Sequence, residues 1–327
     1  MKMPEHEAEL QTSEILYDCG GLRDPWGEEC WFKQVKRMAE VEVIDIFPDF
    51  LLWWARAHEK PIDDQIDGWA NEYLSCLPEL LEKQIGNYAE QNLDWRQVAI
   101  ERIFPFLDER LSIMQEARKN LMEACSSMYS KAQQVFNFDA DIVFIIHVGI
   151  GCGAGWATTF RSKPAILFGL ENIAECGWSD AGAIRGLVAH ELGHIIHYHW
   201  RAQNKKLPGE GAWWQLYEEG FAQRCETLIN EPNVCHQAAA DVNWLEWCQS
   251  HKNRLAAEFL EAANHGGTVT SFFGSWFAIE GKSETGYFLG CEMIRELEKE
   301  YSLREIALLD DVDTCFRTIL ERMKKTD

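Results

Sequence analysis

Between Gly186 and Trp200 the chain reads GLVAHELGHIIHYHW, and this run limits what the rest can become. Its apolar residues, with Ile184, Leu187, Val188, Ile195 and Ile196 among the polar ones, recur at helical spacing and call for a helix that is largely buried. A buried helix cannot leave imidazoles and a carboxylate without partners, because unpaired polar groups are costly to take out of water. His190 and His194 stand one turn apart, so they leave the same face and can close on one metal ion with Glu191 beside them. The residue types suit that chemistry: two neutral imidazoles hold Zn2+, an open position takes water, and a carboxylate removes the water's proton. On an exposed helix the same residues would be an ordinary solvated face, and the apolar surroundings count against that. His197 lies near the same face as His190 but two turns on, roughly 10 Å along the axis, too far for one tetrahedral site. His197 and His199 are therefore expected to orient neighbours or face solvent.

The charge narrows the partners. With 53 acidic against 31 basic residues the net charge is -22, which disfavours nucleic-acid backbones and anionic membranes. The N-terminus MKMPEHEAEL has no apolar core, and no later stretch approaches the about 18 uncharged apolar residues of a membrane span, so a cytoplasmic protein is expected. Eleven dispersed Cys without a CxxC pair predict reduced thiols, and the Trp pairs 53-54 and 213-214 predict core or groove walls.

In chain order, residues 1-35 form a charged leader, and residues 36-135 show helical periodicity from VEVIDIFPDFLLWWARAHE onward, with breaks near Pro61, Gly86 and Pro105. Residues 136-232 change character. Ile142 to Ile146, Trp156 to Phe160 and Ala165 to Gly169 predict three strands of a small mixed or antiparallel sheet, and GIGCGAG (149-155) a turn rather than a phosphate loop, since no Lys-Ser or Lys-Thr follows it. Ser179 or Asp180 is the predicted cap of a helix reaching about Trp200. A second helix from Trp213 carries Glu219 and Glu226 seven residues apart on one face; spacing alone allows both to be solvated. Residues 233-327 are helical again, with a predicted helix over about 284-301 that includes GYFLG and a last one over about 313-325. The expected fold is α+β, predominantly helical.

These two helices resemble the gluzincin metallopeptidases, in which an HExxH helix is followed by one whose Glu is the third ligand. In the aminopeptidase N and leukotriene-hydrolase branch the second helix reads Asn-Glu-Gly-Phe-Ala with a further Glu downstream; this chain has Glu218-Glu219-Gly220-Phe221-Ala222 and then Glu226. Bacterial predicted Zn-dependent proteases, with a helical N-terminal half and a Glu-Gly-(Leu or Phe)-Ala motif, look closer overall. The stretch from His194 to Glu219 is longer than in the aminopeptidase branch. The resemblance covers about residues 140 to 300. It implies a zincin-like catalytic core over 136-232, one Zn2+ per chain on His190, His194 and Glu219, and Glu226 accepting the far N–H of a ligating imidazole. Glu218, about 100° around the helix from Glu219, should then be dispensable. A Tyr-x-x-Gly context implies Tyr287 as the oxyanion donor; a register on Gly286 puts Ser283 there instead, and His265 is a third candidate.

The function so implied is hydrolysis of peptides or oligopeptides, with Glu191 as general base. The sheet edge around Gly153, Gly155 and Trp156 is expected to pair with an extended substrate. Gly169-Leu170-Glu171-Asn172 echoes the aminopeptidase amine-binding segment, but Glu171 directly follows a strand and also suits the start of a helix, so cleavage without strict need of a free N-terminus is favoured. A zinc hydrolase of a non-peptide substrate and a zinc-stabilised binding protein are the competing expectations.

Overall fold

The sheet is mixed, in the order β1-β2-β4-β3, with β1 at Val41–Asp45, β2 at Ile142–His147, β3 at Gly155–Phe160 and β4 at Lys163–Gly169. The computed structural model describes residues 39–230, 235–264 and 268–324; the expected leader, residues 1-35, lies outside them. β2 is buried along its whole length, as an uninterrupted apolar strand flanked by two parallel neighbours must be. β3 runs antiparallel to β4 and forms one margin of the sheet, Trp156 opposite Leu167.

β1 corrects the sequence reading, which took VEVIDIFPDF as one helical run. Val41 pairs with Ile142, about a hundred positions away, and the helix begins only at Phe47, with Pro48 in its first turn where a missing N–H is harmless. Gly86 is a second correction, since the helix Pro78–Glu90 runs through it. A Cβ there would touch nothing within 4 Å, so its glycine neither breaks the helix nor serves a close contact.

The motif helix spans Ala181–Gln203, and Asp180 caps it by accepting the N–H groups of Gly182 and Ala183 at 2.7 and 3.2 Å. It packs on the long helix Leu107–Phe136, on β3, and on the glutamate helix Ala212–Ile229. Small residues set the last contact: a Cβ at Gly193 would lie 2.8 Å from the Cα of Ala222. A third helix, Thr285–Leu297, crosses the glutamate helix equally closely, since a Cβ on Gly220 would stand 2.3 Å from the carbonyl carbon of Gly290. Gly220 of the Glu-Gly-Phe-Ala motif thus lets two backbones meet. The described residues group as one compact unit, within which the helical segment, the central core and the C-terminal helices all fall. The nine described cysteines are unpaired, and no helix among the described residues is long and apolar enough to cross a membrane.

Candidate functional site

His190, Glu191 and His194 emerge from the buried middle of the motif helix into a cavity of about 430 Å3. Glu219 comes to them from the neighbouring helix: its Oε2 stands 3.2 Å from His190 Nε2 and 3.3 Å from His194 Nε2. Ligand atoms of these three residues all lie within 4.8 Å of one another, so the group could hold a metal ion. The electrostatics favour a cation at that point. Burial pulls His194 down, but Glu219 more than offsets it and raises the imidazole to about 9. Burial pushes Glu219 up, and His194 and His190 reverse this, holding it well below the carboxylate range.

Glu191 is 6% exposed and raised from its ordinary value, first by burial, against the pull of both histidines. Its place depends on Gly155 at the start of β3: a Cβ there would meet Glu191 Oε1 at 2.5 Å. The glycine predicted to contact substrate therefore also houses the carboxylate. Gly153 and Trp156 line the same cavity, as does Tyr287, whose ring lies 5.3 Å from that of His190. Burial and then Glu219 push the Tyr287 phenol well above its ordinary value, so it keeps its proton. Ser283 is not among the lining residues, and its carbonyl accepts the indole N–H of Trp244. His265 lies outside the described residues.

Behind each histidine stands a carboxylate. Glu226 Oε2 is 3.8 Å from His190 Nδ1, and Glu218 Oε1 is 3.8 Å from His194 Nδ1. Neither Nδ1 has another partner. Glu226, which the resemblance implies as acceptor of a ligating imidazole's far N–H, stands beyond hydrogen-bond reach of His190 Nδ1 and accepts instead from Gln223 and His236. Gly186 makes room for it, since a Cβ there would fall 2.6 Å from Glu226 Oε1. Glu218, expected to be dispensable, accepts the hydroxyl of Tyr198 and faces the second imidazole. Glu218 and Glu219 point apart on their own helix, and the crossing motif helix brings His194 near both.

Sequence reasoning missed His236. It lines the cavity, and Glu226 binds both its backbone N–H and its Nδ1 at 2.9 Å. It forms a second His/Glu group with His190 and Glu226. A lone histidine in an irregular stretch gives no periodic signal that would have found it. His197, read as orienting or surface, is instead a core residue, fully buried, stacked on Phe221 and bonded to the Tyr217 hydroxyl at 3.0 Å.

Glu171 is 1% exposed and turned into the glycine loop, accepting the N–H groups of Gly149 and Gly151 at 2.7 and 3.1 Å. The N-terminal helical segment holds the same loop: Tyr88 donates to the Ile150 carbonyl at 2.7 Å, and Trp69 and Tyr73 bracket Val148. GIGCGAG is thus a clamped turn forming one wall of the cavity. No protein-family model matches the chain, and neither a curated protein nor a solved structure matches it.

Proposed function

We propose that the chain is a zinc-dependent peptidase of the gluzincin kind, with a zincin-like core built on the motif and glutamate helices. The observation that carries this reading is the convergence of His190, His194 and Glu219 beside the buried Glu191. Two ligand atoms about 2.0–2.1 Å from one zinc and a tetrahedral angle apart are separated by about 3.3 Å. The 3.2 and 3.3 Å contacts of Glu219 match that edge. The Nδ1 atoms make no hydrogen bond, but each faces a carboxylate at 3.8 Å, close enough to favour the tautomer that leaves Nε2 free for a metal.

When bound, the ion supplies Lewis acidity, polarising the scissile carbonyl and acidifying a water. Glu191 takes the water's proton and returns it to the leaving amine. Tyr287, protonated at neutral pH, donates a hydrogen bond to the developing oxyanion. The β3 margin at Gly155 and Trp156 receives an extended peptide backbone beside Glu191. A non-peptide amide or epoxide substrate would use the same groups. A site that holds metal without turnover is the other alternative, and it would have no use for a buried carboxylate held in a glycine notch.

Elemental analysis of the purified protein should find about one zinc per chain, and an unbiased peptide library should be cleaved in a manner that a chelator abolishes. Glu191→Gln should keep the zinc and lose about 100- to 10,000-fold in kcat. A protein without a stoichiometric transition metal would overturn the reading.

A further inference from the structure

Four carboxylates line the cavity, Glu191, Glu218, Glu219 and Glu284, and no Lys or Arg is among the described lining residues. Three have a task. Glu219 meets both histidines, Glu218 accepts from Tyr198 behind His194, and Glu191 sits in the Gly155 notch. Glu284 has none. It is 5% exposed, and although Gln237 reaches its carboxyl, its Oε2 has no hydrogen-bond partner. The nearby His236 is engaged through Nδ1 by Glu226 and makes no bond to that oxygen.

A buried, unpaired carboxylate is costly, and it is relieved either by keeping its proton, as burial inclines Glu284 to do, or by a cation within hydrogen-bond reach. The metal does not supply it, because Glu284 belongs to neither of the His/Glu groups whose ligand atoms lie together. Among the described lining residues there is no Lys or Arg, and His236, whose imidazole Glu284 helps to raise, gives its Nδ1 to Glu226 instead. The backbone nevertheless keeps the side chain there, in the left-handed region at φ 58, three residues before Tyr287, whose N–H it accepts at 3.1 Å. Such a conformation on a non-glycine residue persists only where the surroundings impose it.

Resting on the peptidase reading above, we propose that Glu284 is a specificity-determining residue that binds a primary ammonium group of the substrate through Oε2. That ammonium is either the peptide's own N-terminus or a lysine-like side chain next to the scissile bond. Acidic cavity walls and a net charge of -22 draw such a substrate in.

Two probe pairs separate the sources by calorimetric titration of the zinc-loaded full chain at neutral pH. N-acetyl-lysine methylamide against N-acetyl-norleucine methylamide reports a side-chain ammonium; leucinamide against its desamino analogue reports an α-ammonium. At least one cationic probe should bind about tenfold or more tighter than its neutral twin, the scale of a charge-assisted hydrogen bond. Glu284→Gln should erase that ratio while leaving the neutral twin's affinity unchanged. Should Glu284→Gln fail to fold, Glu284→Asp, which keeps the charge, should retain a reduced preference, and the wild-type comparison decides by itself. Equal affinities within both wild-type pairs, no measurable binding of either cationic probe, or a preference that survives Glu284→Gln would each overturn the proposal. A chain that prefers the cationic probe yet cuts no peptide keeps the subsite and loses the peptidase reading; one that cuts peptides without the preference loses only the subsite.

Discussion

The two walls of the cavity treat a buried carboxylate in opposite ways. On the glycine-loop wall Glu171 is saturated by backbone, taking the N–H groups of Gly149 and Gly151, while Gln84 accepts from Ile150 and Tyr88 donates to it. On the helical wall polar atoms are left open: Nδ1 of His190, Nδ1 of His194 and Oε2 of Glu284 have no hydrogen-bond partner, although all three residues are buried. Folding normally satisfies such atoms, so each one left open calls for an explanation. The loop wall satisfies its buried carboxylate from the backbone and the helical wall leaves polar atoms open, although burial raises both Glu171 and Glu284, the latter to about 7. A shifted carboxyl alone therefore does not mark a site; the inventory of its partners does.

Substitutions can break this contrast. Glu219→Ala should have the largest effect, weakening zinc binding by more than about 100-fold, beyond the range of residues that only orient a ligand. Equilibrium dialysis against a zinc buffer measures it, and wild-type affinity would remove Glu219 from the centre. Gly155→Ala should leave zinc in place while lowering kcat by about 100-fold or more, because it pushes the base out of its notch. Retention of full activity would mean that Glu191 need not sit there. Glu226→Ala and Glu218→Ala should each cost about 10- to 100-fold in zinc affinity or rate. A silent Glu218→Ala would restore the simpler view of that residue as a bystander. Glu171→Ala should have the smallest consequence for the metal: unchanged zinc affinity, with about 1–3 kcal/mol of stability lost as the loop N–H groups lose their acceptor. Denaturant unfolding beside zinc titration tests this, and a lost metal with unchanged stability would reverse the assignment of the two walls.

Much of the architecture was legible because it is local. The apolar run around His190, the Asp180 cap and the three strands between 142 and 169 are carried by neighbours within a few positions, and spacing along a helix alone puts His190 and His194 on one face. β1 was not legible, since its identity as a strand comes from pairing with β2 across a long stretch of chain. His236 and Glu284 were missed for the same reason: each lies in or beside irregular chain, and only the folding of that chain against the glutamate helix turns it into the cavity.

A predominantly helical chain with a small sheet, a buried helix that needs partners for two histidines, and a second helix able to offer a carboxylate all follow from residue order alone. Which carboxylates meet which imidazoles is set by the packing of the helices, because a helix specifies the angle between its own side chains and not the neighbour it will cross. That packing separated Glu219, between both histidines, from Glu218 and Glu226 behind them, and closed Glu171 into the loop while leaving Glu284 Oε2 open. Close approach at glycine made that possible: with Gly193, Gly220 and Gly290 at the crossings, three backbones come near enough for short side chains to converge on one point.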